Sequence, residues 1–162
     1  MDGIGAPFQF LDYQIEQLSL DRLHPEIDGE PDKVGTALGF GMEIRPVEEV
    51  EEDVYEVQLE LHLNDEEDAI PEGERDRVFH RAHLTLVGRF QWLEDAKPAD
   101  EEEADKLLLV NGLSMLYGTA RVHLRQLTDP GPEPVLHLPS VGFKPIVEQA
   151  LEEDPEQSGP DA

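Results

Sequence analysis

From Tyr55 to Leu63 every second residue is apolar: Tyr55, Val57, Leu59, Leu61 and Leu63, with Glu56, Gln58, Glu60 and His62 between them. Side chains alternate across a strand, so this segment must bury one face and solvate the other. A fourth strand with the same period carries Val78, His80, Ala82, Leu84, Leu86, Gly88, Phe90 and Trp92 on one face. Before these, Leu38, Phe40, Met42 and Ile44 alternate within a second strand, Val34 to Val47, and Pro46 marks its end or an edge position. The first strand, Phe8 to Leu23, is less regular. Phe8 and Phe10 share one parity, Leu11, Tyr13 and Ile15 the other, and Leu18 and Leu20 revert to the first. Each change of parity predicts a bulge or a strong twist. Apolar residues of both parities also predict that both faces of this strand meet apolar surface.

After Lys97-Pro98 the period lengthens. Asp100 to Glu103 supply the negative first turn that a helix N-terminus favours. Leu109, Leu113, Leu116, Tyr117, Ala120, Leu124 and Leu127 then recur at three- and four-residue steps. Gly112 and Gly118 within this stripe suit close approach to another backbone. Asp129 to Pro132 stops the helix, Val135 to Phe143 is extended, and Lys144 to Glu153 is a short amphipathic helix. The expected fold class is α+β: a four-stranded antiparallel sheet, a long helix and a short C-terminal helix. The loop His24 to Lys33 is long enough for the first strand to cross over instead of pairing by a tight turn. The expected domain is 8–153, with flexible termini at 1–7 and 154–162.

Composition narrows the function. The chain has 162 residues, 38 acidic against 12 basic side chains, a formal net charge of -26 and no cysteine. A phosphate-tracking nucleic-acid binder is excluded by that charge, and anionic membranes are disfavoured. Disulfides and thiolate metal sites are excluded by the missing cysteine. The longest apolar run, Leu107 to Val110, is far too short to span a bilayer. No basic and apolar leader stands at the N-terminus, so the expected location is cytoplasmic. With four lysines against 23 glutamates, the surface suits either a salt-rich halophile cytosol, where salt screens self-repulsion, or an acidic chaperone or adaptor of an ordinary one.

No catalytic constellation emerges. Ser19, Ser114 and Ser140 lie outside any nucleophile elbow. Gly35, Gly39 and Gly41 sit in an alternating strand without the lysine and helix of a phosphate loop. His80 and His83, three apart on a strand, are expected to point to opposite faces, which disfavours a shared metal. His62, His123 and His137 read as structural histidines. The acidic runs at 48–53 and 65–68 lack a dedicated calcium pattern. What remains is a surplus of apolar and aromatic surface, at Phe8, Tyr13, Phe40, Phe79, Phe90 and Trp92, beyond what one helix can cover.

Three segments together resemble the SecB family of protein-export chaperones. Asp53-Val54-Tyr55-Glu56-Val57 looks like the opening of that family's third strand. Gly88-Arg89-Phe90 is similar to the end of its fourth strand. Leu113 to Arg121, with Leu138 to Phe143 following, looks like the start of its long helix and the segment beyond. The resemblance implies an ATP-independent holdase, without cofactor or metal, that binds unfolded preproteins in apolar grooves and hands them to the motor ATPase SecA. It implies a homotetramer, a dimer of dimers, with long helices packed between dimers. The groove would fall on Leu23, Ile27, Val34, Leu38, Phe40, Ile146, Val147 and Leu151. The motor contact would fall on Asp21 and Glu16, and the oligomer interface on the helix stripe Leu113, Leu116, Tyr117, Ala120 and Leu124. The family's other motor-binding positions fall on Gln17 and near His83. Some SecB-like proteins instead guard the antitoxin of a toxin–antitoxin pair. Outside this class, the alternative is a small-ligand-binding α+β module.

Overall fold

The structure, a computed structural model, describes residues 7–22, 38–48, 53–64, 80–128 and 138–153. Four strands, β1 (Phe8–Arg22), β2 (Leu38–Pro46), β3 (Val54–Leu63) and β4 (His80–Trp92), precede two helices, α1 (Glu101–Thr128) and α2 (Phe143–Glu153). The strands form one sheet in the order β1-β4-β3-β2, antiparallel throughout. Strands β1 and β2 are consecutive in sequence but occupy opposite edges. Arg22 pairs with His80 and Leu38 with Leu63, so the chain leaves β1 and enters β2 at the same end of the sheet. The expected crossover is therefore present. The termini 1–6 and 154–162 lie outside the described residues.

Strand β1 departs from expectation in an informative way. Its ladder with β4 slips between Phe10 and Asp12 and again between Ile15 and Gln17, leaving Leu11 and Glu16 as the extra residues. Each bulge resets the parity. Phe8, Phe10, Tyr13, Ile15, Leu18 and Leu20 consequently stand opposite Trp92, Phe90, Gly88, Leu86, Leu84 and Ala82. Directly opposed residues share a face, so these six apolar side chains all lie on one side of the sheet. For these six the expectation that apolar residues point both ways from β1 fails, because it assumed an unbroken ladder; Leu11, the extra residue at the first bulge, is exposed.

The same face continues across the sheet in apolar rows. Ile15, Leu86, Leu59 and Met42 form one, and Leu18, Leu84, Leu61 and Phe40 the next. The opposite face is polar: Asp12, Arg89, Glu56 and Arg45 form a row joined by the Arg45–Glu56 ion pair, 2.7 Å, and the Arg89–Asp12 pair. The Arg89 guanidinium holds the Asp12 carboxyl below the usual aspartate range. That tie between β1 and β4 is fully present above the usual aspartate range, persists through it, and is lost only as pH falls through the lower value that Arg89 imposes.

Helix α1 lies on the apolar face. Asp100 caps it, its Oδ1 accepting the Glu102 N–H at 3.0 Å while its carbonyl accepts from Ala104. Leu113, Leu116, Ala120 and Leu124 are all wholly buried, and Tyr117 nearly so. They pack on the chain's own sheet. A Cβ on Gly88 would stand 2.9 Å from Leu116 Cδ2, and one on Gly112 would stand 3.3 Å from Phe90 and Val57. These two glycines let helix and sheet close together. The assignment of this stripe to an oligomer interface is thus corrected: periodicity reveals a buried face but not which partner buries it.

Leu116→Asp should abolish the fold of the single chain, because it buries an unpaired carboxylate and removes a core leucine, at a cost of at least about 4 kcal/mol. Loss of the cooperative thermal transition is the expected readout. A wild-type midpoint would place the stripe elsewhere.

Candidate apolar binding surfaces

One helix cannot cover four strands, and apolar surface is left at both edges of the sheet. At the β2 edge, Leu38, Phe40, Met42 and Ile44 are half-buried against the core. Ile146 and Leu151 of α2 are half-buried in the same way. Three rings meet edge to face between β2, α1 and α2. Phe40 lies 5.8 Å from Tyr117 and 5.4 Å from Phe143, and Tyr117 lies 5.5 Å from Phe143. The Tyr117 hydroxyl donates to the Pro139 carbonyl at 2.6 Å, and burial pushes the phenol's pKa up. Lys106 of α1 grips Glu148 of α2 at 2.9 Å. Strand β2 is hydrogen-bonded to β3 alone, so its outer backbone edge has no strand partner among the described residues.

The predicted groove residues divide accordingly. Leu38, Phe40, Ile146 and Leu151 come together around β2 and α2. Val147 is wholly buried and belongs to the core, so its place in an open groove is corrected. Its spacing shows the apolar side of α2 but not how deeply each residue sinks. Leu23, Ile27 and Val34 lie outside the described residues, as do His24, His137, Val78, Phe79 and the acidic run 65–68.

Of the second surface the sequence singled out the apolar residues of β1 but not the outer side of α1. On β1, Tyr13, Ile15 and Leu18 face the helix side but remain about 40% exposed, at 41%, 37% and 41%. Tyr13 stacks on Phe10 and its hydroxyl hydrogen-bonds His123 Nε2 of α1 at 3.0 Å. The outward side of α1 carries Leu107, Met115, Val122 and Leu127, all exposed. Ser114 and Thr119 turn their hydroxyls back onto Val110 and Met115 carbonyls, and Asn111 donates to the Leu107 carbonyl. Gly118 faces open space. The outer helix side is therefore more apolar than its composition suggests. A second stripe at Leu107, Met115 and Val122 was the available signal, masked by the polar residues between. Asp21 and Glu16 are both exposed on β1, Glu16 as the residue displaced at a bulge.

With this geometry the class is defined by architecture: the chain has a SecB-like α+β fold. Among solved structures it is similar to the SecB-like chaperone Rv1957 of Mycobacterium tuberculosis, in complex with a ChAD peptide from the Rv1956 HigA1 antitoxin. The TM-score is 0.58 at 19% identity, over 83% of this chain and 91% of that one. No family model and no curated protein matches the sequence. No helix among the described residues is long and apolar enough to cross a membrane.

Phe40→Ser should lower the thermal midpoint, because it removes one ring of the aromatic triangle, at a cost of about 2 kcal/mol for a half-buried phenylalanine. Leu151→Ser, at the rim, should leave the midpoint within a few degrees. Equal losses in thermal denaturation would refute this difference between Phe40 at the base of the surface and Leu151 at its rim.

Proposed function

We propose that this protein is an ATP-independent holdase that captures extended apolar segments of non-native chains along β2 and α2. The observation that carries the reading is a strand edge with no strand partner among the described residues, lying beside half-covered apolar side chains. An extended segment could pair with β2 through its main chain and set alternate side chains toward Ile146 and Leu151. Affinity would come from burial of apolar area at about 25 cal/mol per Å². No covalent chemistry belongs to this activity.

The client class favoured is an antitoxin that folds poorly alone. The structural neighbour holds a peptide of that origin, and this supports antitoxin guarding ahead of preprotein export. Hand-over to SecA is the second reading, supported by the exposure of Asp21 and Glu16. Copies of the chain assemble, in this proposal, through the outer stripe of α1 and the exposed residues of β1. A tetramer would bury both. Net charge -26 makes assembly depend on salt, which screens repulsion and strengthens apolar burial. A salt-rich cytoplasm suits it.

Light scattering of two denatured clients, an antitoxin-type chain and a secretory preprotein, tests the reading at low and molar salt. Suppression without ATP is expected for both, at lower chaperone ratio for the antitoxin type. Sedimentation of the same samples should show a tetramer that loosens in dilute buffer. Absence of protection at every salt concentration would sink the holdase reading and raise the ligand-binding alternative. A monomer throughout would sink the assembly.

A further inference from the structure

The polar face of the sheet holds one cluster that neither the fold nor client capture explains. Glu60 and His62 are two apart on β3 and share this face, and His83 of β4 stands directly opposite His62. The two imidazoles stack with centroids 4.3 Å apart and planes at 25°. Glu60 Oε1 lies 2.9 Å from His62 Nε2 and 3.1 Å from His83 Nε2. One donor atom from each residue falls within 4.8 Å of the others. The three side chains are only a quarter to a third exposed, at 35%, 32% and 25% for Glu60, His62 and His83.

We propose that Glu60, His62 and His83 bind a late first-row divalent cation, with zinc as the reference ion. Two imidazole nitrogens and a carboxylate oxygen are the donor set such ions prefer. In a tetrahedral zinc site, ligand atoms stand about 3.4 Å apart. The spacing from Oε1 to each Nε2 already lies near that figure. A cation would replace the two hydrogen bonds that now converge on Oε1. Gln17, on β1, reaches His83 Nδ1 at 3.4 Å. Turning its amide would set the oxygen against Nδ1–H, which fixes the tautomer that leaves Nε2 free to ligate.

Strand β2 leaves room on the other side. Gly39 and Gly41 pair with His62 and Glu60, and a Cβ on Gly41 would stand 3.0 Å from Glu60 Oε2. A side chain there would displace the carboxylate. Three protein ligands on a half-open face leave a coordination position for water or for a donor from another molecule. The surrounding charge, net -26 over the chain, draws cations in.

Calorimetric titration of the intact protein with zinc chloride tests the site. Millimolar magnesium should be present to occupy the plain carboxylate clusters. One zinc per chain is expected above that background. His62→Ala and His83→Ala should each weaken binding more than about a hundredfold, beyond the roughly tenfold to hundredfold that loss of an orienting partner costs, whereas His123→Ala should not. Circular dichroism of the variants checks that the fold persists. In the wild-type protein the imidazole proton signals of His62 and His83 should move together on zinc addition. No saturable binding above magnesium, binding undiminished in both variants, or histidine shifts confined to other rings would each overturn the site.

Discussion

The whole arrangement depends on a mismatch of widths. A four-stranded sheet spans about 14 Å between its outer strands, while a helix with its side chains is about 10–12 Å across. All four strands of this sheet present apolar residues to the same side. One long helix can therefore seal the middle strands and must leave the edges incompletely covered. The two bulges in β1 sharpen the mismatch, because they hold Tyr13, Ile15 and Leu18 on the side that the helix cannot reach fully. Helix α2 partly relieves it at the other edge through Phe143 and Val147, both buried. Two apolar surfaces of different depth follow from one geometric fact.

Those two surfaces suit different tasks. At the β1 edge and on the outer side of α1, aliphatic side chains stand out from the surface, and the helix hydroxyls are turned inward. This suits a matching surface on another copy. At the β2 edge the apolar side chains are half-buried beside a strand whose outer side has no strand partner among the described residues, which suits an extended chain of variable sequence. The Arg45–Glu56 and Arg89–Asp12 pairs of the polar face are exposed and add little stability. They stitch adjacent strands in register, β2 to β3 and β1 to β4.

Much of this was legible in the sequence. The alternation from Tyr55 to Leu63 and from His80 to Trp92 defined the two central strands, because both are long and each buries an apolar face, β4 burying Thr85 and Val87 of its other face as well. The change of period after Pro98 defined α1, and the acidic first turn located its start. The long first connection foretold the crossover. Reading failed wherever the answer depended on a partner element. Parity changes in β1 signalled bulges, but which face each bulge served required the pairing with β4. The Leu113 to Leu124 stripe signalled burial, but not that the sheet of the same chain supplied it. His62 and His83 lie 21 positions apart, and only the β3–β4 register sets their rings together. Considering His83 with His80, its neighbour in sequence, led away from that pair.

In the proposed activity the half-buried β2–α2 surface, and not the more exposed β1 surface, receives a client. Isoleucine methyl spectra test it most directly, because Ile44 and Ile146 report on the first surface and Ile15 on the second. On titration with an extended apolar peptide, the account predicts that the Ile44 and Ile146 methyls shift together and saturate, while Ile15 holds its position. Shifts led by Ile15, with Ile44 and Ile146 unmoved, would contradict it.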